Sequence, residues 1–327
     1  MEGVAFSFSQ YVTQTVLHSI VILLVIEISL NVWEVRSPAG RFRYRIQTLF
    51  LPMLMYPMFQ VLDPSRGSVY FITDRALFNS STWLSIRLWE VLPLSILFGS
   101  ILALTAGVTL VQEILPVIQK MLRWETGSPG FSSPPPDLEK KVEEMSNRMG
   151  IPSPSIRVLD DAEPFLFVEG TRYPVIIVTR GVLNDFSERE LNNALVHELA
   201  HILRRSTSIT LLAFLARMLM FYNPVSLLVF RRLIQDDEQV CDDLTVSVTE
   251  DPEGLASALK TFYFEEPEKA QPGYSSMIDF ISTSSHNLLL QERISRLQAA
   301  GRETSRPAIG EFVITVVSVS VLCYFIV

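Results

Sequence analysis

Cysteine, histidine and charge are all scarce in this sequence of 327 residues. We expect no disulfide between Cys241 and Cys323, because they fall in different predicted segments, a cytoplasmic domain and a membrane helix. The net charge of −8 lacks the basic excess that nucleic-acid binding requires, so no nucleic-acid partner is expected. Only 19% of the residues are charged and 48% are hydrophobic, a balance typical of membrane proteins.

Long hydrophobic runs predict where the chain crosses a membrane. About 20 apolar residues cross the hydrocarbon core, and residues 12–33, 88–111 and 308–327 are each long enough. The run 46–62 is shorter and contains two prolines, which membrane helices tolerate. We predict a span there too, with an amphipathic surface helix as the alternative. Residues 1–111 are then an N-terminal membrane region with three spans.

The loop between the first two spans indicates the orientation. Residues 34–45 contain four arginines, and positively charged loops stay in the cytoplasm. We therefore predict an outside N-terminus, an outside loop at 63–87 and a cytoplasmic segment from 112 to 306. This describes a multi-pass protein of the inner (cytoplasmic) membrane, with the lipid bilayer as a partner.

The long inner segment divides into a linker and a folded domain. The linker, residues 112–136, ends in a stretch rich in Gly, Ser and Pro that excludes a helix or sheet interior. Residues 137–307 begin with an amphipathic helix. A short strand at 156–159 and a hairpin of 165–168 with 173–179 come after it. We therefore predict a cytoplasmic α+β domain.

The sequence has only four histidines, and two of them lie in the motif HExxH at residues 197–201. Positions four apart share one face of a helix, so His197 and His201 can bind the same metal ion. Glu198 would then point at the metal's water. This layout is typical of zinc peptidases.

A catalytic zinc needs three protein ligands and one open position. The best candidate for the third ligand is Glu238, in the acidic run 236–243. Asp242 shares its helix face, and we predict that it accepts a hydrogen bond from a ligand histidine. The alternative interpretation of this run is a solvated helix face. We expect one Zn²⁺ per chain, bound by His197, His201 and Glu238.

The ligands must lie on one side of the membrane, so the apolar segment between them must cross it an even number of times. This segment, residues 209–232, is interrupted at Asn223-Pro224, and each half is too short to span. We predict a helical hairpin that dips into the inner membrane face or rests on it.

These residues predict metal-assisted amide hydrolysis, in which Glu198 takes a proton from water and delivers it to the leaving amine. His286 and Arg293 are candidate donors to the oxyanion, with a structural role as the alternative. An apolar strand is predicted to offer an edge to an extended substrate, with an interior core strand as the alternative. Its residues are Val175, Ile176, Ile177 and Val178.

The order of these motifs resembles that of the gluzincin membrane peptidases. The resemblance rests on the HExxH helix, Glu238 with Asp242, and His286 followed by Glu292-Arg293-Ile294. These features are similar to the CAAX prenyl proteases and the heat-shock membrane proteases. The Cys241-Asp242 pair and the order of spans look more like the beta-lactam sensor and antirepressor peptidases.

The resemblance implies a zincin-like (gluzincin) metalloprotease domain in a multi-pass α-helical membrane protein. The implied function is that of a zinc metalloendopeptidase acting on cytoplasmic or membrane-proximal proteins, in regulated signalling or antirepressor-type proteolysis. A membrane signalling component with a mainly structural metal site is the alternative from another class. A further alternative function is that of a CAAX-type or quality-control membrane protease.

Three departures from these families stand out. The CAAX-type and heat-shock enzymes usually carry Asn-Ala in the edge region, where this sequence has Pro164-Phe165-Leu166. They usually place proline after the histidine that aligns with His286, where this sequence has Asn287. The sensor peptidases continue into an extracellular ligand-binding domain, whereas this sequence ends at Val327. We therefore expect any signal to arrive through a partner protein or through the outer loop, with no signal at all as the alternative. A regulatory partner or a homo-oligomer is among the expected partners.

Overall fold

The computed structural model describes residues 2–115, 130–264, 290–299 and 309–327. In this part the chain is mostly helical, with a small sheet of four strands and a separate pair of short strands. It divides into two compact units. The helical unit comprises Met1–Leu122, Ala213–Leu233 and Glu303–Val327, and the sheet unit comprises Arg123–Leu212 and Ile234–Arg302.

The helical unit is built from apolar helices joined by short elements. Its helices within residues 2–115 are α1 (Glu2–Val32), α2 (Pro38–Leu62), α3 (Val69–Asp74), α4 (Ser80–Ser85) and α5 (Leu94–Thr109). The pair β1 (Arg87–Leu88) and β2 (Leu92–Pro93) precedes α5, and a 3₁₀ turn at Pro64–Gly67 comes after α2. At the end of the chain, Ile309–Tyr324 forms the terminal helix.

The first helix is apolar on both its buried and its exposed faces. Ile22 and Ile26 are fully buried, whereas Leu24 and Ile28 on the other face are more than half exposed. Among the described helices, the segment Phe8–Val32 is the one that is long and apolar enough to cross a membrane by length and composition. The multi-pass arrangement stays a prediction.

The predicted span 88–111 differs from the helix that forms there. The helix α5 starts at Leu94, because Trp89 and Glu90 have positive φ angles of 51° and 61° and turn the chain between β1 and β2. Pro93 then takes the N-cap position, with extended backbone. Beyond α5, a π-helical turn continues to Ile114.

The sheet unit has a mixed sheet in the order β3-β4-β6-β5. The strands are β3 (Phe131–Ser132), β4 (Ser155–Leu159), β5 (Leu166–Glu169) and β6 (Val175–Thr179). Strands β5 and β6 pair antiparallel, which confirms the predicted hairpin. Strand β6 also pairs in parallel with β4, so it has neighbours on both sides.

The prediction that residues 175–178 form an edge of the sheet is therefore wrong. Val175, Ile176, Ile177 and Val178 lie on an interior strand, because β4 occupies the side opposite β5. Ile176 and Val178 are fully buried in the core of the unit. Among the described strands, β5 is the one at this end of the sheet.

Seven helices lie between residue 136 and residue 298 of the described chain, and the motifs lie on them. They are α6 (Pro136–Met149), α7 (Arg180–Asp185), α8 (Glu188–Arg204), α9 (Ser206–Leu219), α10 (Pro224–Thr249), α11 (Pro252–Phe264) and α12 (290–298). Helix α8 starts at a capping box in which Ser187 and Glu190 bond each other's main-chain N–H. Its residues Leu195 and Leu199 are fully buried in the same core as Ile176 of β6.

The predicted break at Asn223-Pro224 is present, but the second apolar half belongs to one long helix. The side chain of Asn223 accepts a hydrogen bond from the N–H of Val225 at 3.0 Å and so caps α10. This helix continues through the second apolar half to Thr249. Glu238 therefore lies on the same helix as that apolar half.

Gly181, at the start of α7, permits a close approach of two chain segments. A Cβ atom at this position would lie 2.2 Å from the carbonyl oxygen of Ala162. We expect Gly181→Ala to lower the free energy of unfolding by about 1–3 kcal/mol, since the backbone must shift to relieve the overlap.

Thermal unfolding of the full chain in detergent checks this expectation. Gly130→Ala is the matched control, because no atom lies within 4 Å of the Cβ added there. Equal melting temperatures for the two variants would contradict the packing at Gly181.

Candidate metal centre

Three side chains from two helices converge on one point in the sheet unit. Nε2 of His197 lies 3.2 Å from Nε2 of His201, both on α8. The carboxylate of Glu238, on α10, lies 3.4 Å from Nε2 of His197 and 3.6 Å from Nε2 of His201. The turn of helix between the two histidines places both rings on one face, so α10 needs to contribute only one more donor.

The donor atoms fit a tetrahedral zinc ion. Zinc binds imidazole nitrogen and carboxylate oxygen at about 2.0–2.2 Å, so two ligand atoms of a tetrahedron lie about 3.3–3.6 Å apart. The two Nε2 atoms lie 3.2 Å apart, Oε2 of Glu238 lies 3.4 Å from His197 and Oε1 lies 3.6 Å from His201, so each pair of groups has donor atoms near this spacing. His197 and Glu238 are buried, whereas the side chain of His201 is 16% exposed, which leaves one side of the centre open.

A buried ion pair supports this cluster. Arg293, on α12, donates to the carboxylate of Asp242 through Nε at 2.8 Å and through Nη2 at 2.7 Å. Its Nη1 lies 3.1 Å from Glu238. Asp242 in turn lies 3.3 Å from Nδ1 of His197. One guanidinium therefore holds the carboxylate ligand and the carboxylate beside the first histidine.

The electrostatics of this group favour a charged Asp242. Burial raises the pKa of Asp242, but the charge and hydrogen bonds of Arg293 outweigh burial and lower the pKa to about 2. Burial lowers the pKa of His197, but the hydrogen bonds to Asp242 and Glu238 outweigh burial and raise the pKa to about 9. With this pKa both nitrogens of His197 carry protons at neutral pH when no metal is bound, so a metal ion would displace the proton on Nε2 while the ionised Asp242 favours the proton on Nδ1.

The structure brings together five of the predicted site residues: His197, His201, Glu238, Asp242 and Arg293. Their roles stay predictions. Arg293 is also at the centre, where it contacts the carboxylates of Asp242 and Glu238 and lies 3.5 Å from Nε2 of His197, and its role as an oxyanion donor stays a prediction. His286 lies outside the described residues. Glu198 is half-buried on α8, next to His197.

Sequence reasoning missed a second group beside the centre. Sγ of Cys241 lies 3.4 Å from Nδ1 of His201. Asp237 accepts hydrogen bonds from Arg204. Burial, with the nearby charges of Asp237 and Glu238, raises the pKa of the Cys241 thiol well above its ordinary value. The helical spacing of three residues between Glu238 and Cys241 was the available signal.

The motif helix, the carboxylate from a second helix and the buried carboxylate behind the first histidine are the features of gluzincin metallopeptidases. Residues 131–269 match the model of the family described as BlaR1 peptidase M56. That segment contains all three candidate ligands.

The chain is also similar to several proteins named "Protease HtpX homolog". The one from Ralstonia nicotianae is 36% identical over 80 residues, which cover 24% of this chain and 28% of that protein. The one from Thermodesulfovibrio yellowstonii is 23% identical over 214 residues, covering 51% and 76%. The one from Desulforapulum autotrophicum is 26% identical over 205 residues, covering 48% and 66%.

The chain spans only about a quarter of the length of the two relatives from Ralstonia. The matched part covers 28% of the protein from Ralstonia nicotianae and 27% of the one from Ralstonia pickettii. Together with the M56 match, they confirm the resemblance to membrane zinc metallopeptidases of the gluzincin type. A metal is expected of such a family, usually zinc.

The two arginines of α12 allow a matched test of the buried ion pair. Removing one partner of a buried pair leaves an uncompensated charge, so we expect Arg293→Met to lower the free energy of unfolding by about 3–5 kcal/mol. Arg296, one turn later, pairs with Asp243, and these side chains are 27% and 33% exposed. We expect Arg296→Met to cost about 0–1 kcal/mol.

Denaturant unfolding of the full chain in the presence of a chelator measures both changes without a contribution from bound metal. A loss at Arg293 no larger than that at Arg296 would contradict the buried ion pair.

Proposed function

We propose that this chain is an integral-membrane zinc metalloendopeptidase that hydrolyses peptide bonds in cytoplasmic or membrane-proximal proteins. The observation that carries the proposal is the convergence of His197, His201 and Glu238 at separations that suit one zinc ion. Glu198 lies between the two histidines in the motif, as the base of a zinc peptidase does. The M56 match over residues 131–269 supports the same reaction class.

His197, His201 and Glu238 would hold the zinc ion. Bound there, zinc would lower the pKa of a water molecule and polarise the scissile carbonyl. Glu198 would take the proton of the attacking water and pass it to the leaving amine. Asp242 would hold His197 in the tautomer with the proton on Nδ1, and Arg293 would keep Asp242 ionised and hold the carboxylates of Asp242 and Glu238 in place.

The proposed substrate is an extended segment of a protein. Strand β5 ends the sheet on the side away from β4, and β5 and the motif helix α8 are in contact. An extended peptide could add to this edge through main-chain hydrogen bonds and be held near the catalytic helix. In our proposal, β5 replaces residues 175–178 as the substrate strand.

We also propose the multi-pass topology, with the catalytic centre on the cytoplasmic side of the inner membrane. In the terminal helix, Val313, Val317 and Val321 lie four residues apart and are each at least half exposed. In water such a stripe is unfavourable, but in lipid it is not. Thr315 and Val319, on the other face, are fully buried.

The charged and polar groups of the helical unit are compatible with a membrane. Glu27, inside the first predicted span, accepts hydrogen bonds from Arg45 at 3.2 Å and from Arg232 at 2.8 Å. Asn223, at the turn of the predicted hairpin, is fully buried and donates to Ser19 at 2.8 Å. Because each of these groups is paired, the cost of placing it near lipid is reduced. A regulatory partner or a second copy is proposed on sequence grounds alone.

The proposed reaction is tested with Glu198→Gln, which keeps the size of the side chain but removes the base. We expect the variant to keep one zinc per chain and to cleave a denatured, fluorescently labelled casein about 10²–10⁴ times more slowly than the wild type. Zinc content is measured by atomic emission, and cleavage by release of labelled peptides.

Glu188→Gln is the control, because Glu188 lies in the first turn of the same helix with its side chain 82% exposed. We expect it to retain wild-type activity. Cleavage at the wild-type rate by the Glu198 variant, with zinc bound, would exclude Glu198 as the base of the proposed mechanism.

A further inference from the structure

Each ring of the two candidate ligand histidines has one nitrogen that does not face the ligand centre. The Nε2 atoms of His197 and His201 face each other at 3.2 Å, so their Nδ1 atoms are directed outward. Asp242 lies 3.3 Å from Nδ1 of His197. Beside Nδ1 of His201, the corresponding position is taken by Sγ of Cys241, at 3.4 Å. Both outward nitrogens therefore have a polar neighbour.

One turn of α10 supplies both neighbours and the third ligand. Cys241 and Asp242 lie three and four residues after Glu238, which places all three side chains on one face of the helix. Cys241 is fully buried, and its Sγ lies 3.8 Å from the hydroxyl oxygen of Ser206. The sulfur is therefore fixed between Ser206 and the ring of His201.

We propose that Cys241 is the positioning residue for His201, with its sulfur accepting a hydrogen bond from Nδ1–H. A metal-bound imidazole usually donates its other N–H to a nearby acceptor, which fixes the tautomer and the ring orientation. A thiol sulfur is a weak acceptor, but it is the atom placed to take this role. The inference rests on the zinc centre proposed above and assigns its second histidine an orienting partner.

The competing interpretation is a second cation held by Cys241, Asp237 and Nδ1 of His201, which lie within 4.8 Å of one another. Arg204 argues against it. Its Nε and Nη2 lie 3.1 and 2.6 Å from one oxygen of Asp237. A metal ion held by Asp237 would lie beside this guanidinium and be repelled by its positive charge, whereas a hydrogen bond from His201 to sulfur places no second cation there.

The test measures zinc affinity of the full chain in detergent by competition with a chromophoric chelator. We expect one zinc per wild-type chain and an affinity about 10–100-fold weaker in Cys241→Ala, the range for loss of an orienting partner. Cys241→Ser, which restores a polar acceptor in similar space, should bind zinc more tightly than the alanine variant. Cys323→Ala is the control, since it removes the other buried thiol, and should bind like the wild type.

The serine variant separates orientation from packing, because a loss due only to packing would be as large in serine as in alanine. Equal affinities for Cys241→Ser and Cys241→Ala, both weaker than the wild type, would overturn the proposal. So would wild-type affinity in Cys241→Ala.

Cobalt substitution distinguishes a hydrogen-bond acceptor from a ligand. We expect no thiolate-to-cobalt charge-transfer band in the wild type, and its presence, or two metal ions per chain, would overturn the positioning role. A wild-type chain that binds no zinc would instead refute the proposed centre itself. A wild-type chain that binds one zinc, with Cys241→Ala binding equally well, would refute only the role of Cys241.

Discussion

The ion pair between Arg293 and Asp242 is the interaction on which the candidate centre depends. It is buried, it is made through two nitrogens of one guanidinium, and it joins α12 to α10. Through Asp242 it reaches Nδ1 of His197, and through its third nitrogen it reaches Glu238. A buried carboxylate without such a partner would take up a proton. The pair thus fixes the charge of the group that orients the first histidine.

Residues close in sequence made the centre predictable. The four-residue spacing of His197 and His201 and the same spacing of Glu238 and Asp242 each define one helix face, and a helix has no freedom to separate them. The partner of Asp242 was not predictable in the same way. Arg293 lies about fifty residues further along the chain, and only the packing of α12 against α10 brings it to Asp242. The sequence therefore identified Arg293 as a candidate site residue but not its contacts with Asp242 and Glu238.

The sheet also shows that contacts between distant parts of the sequence could not be predicted. The hairpin of β5 and β6 is a local feature, and its apolar runs and turn residues predicted it. Which of its strands lies at the edge depends on β4, which pairs with β6 from an earlier part of the chain. An apolar run such as Val175–Thr179 reads the same in either position, because both faces of a buried strand are apolar. The helix α1 shows a different limit, because it is apolar on both faces and length and composition alone do not fix what surrounds it.

The central claim is that His197, His201 and Glu238 together hold one zinc ion, and X-ray absorption at the zinc edge tests it most directly. The full chain, loaded with one zinc, is predicted to show only nitrogen and oxygen neighbours at about 2.0–2.2 Å, including two imidazoles. Replacing Glu238 by Gln should change the oxygen shell and leave both imidazoles in place. A sulfur neighbour at about 2.3 Å, or a spectrum unchanged by that replacement, would contradict the account.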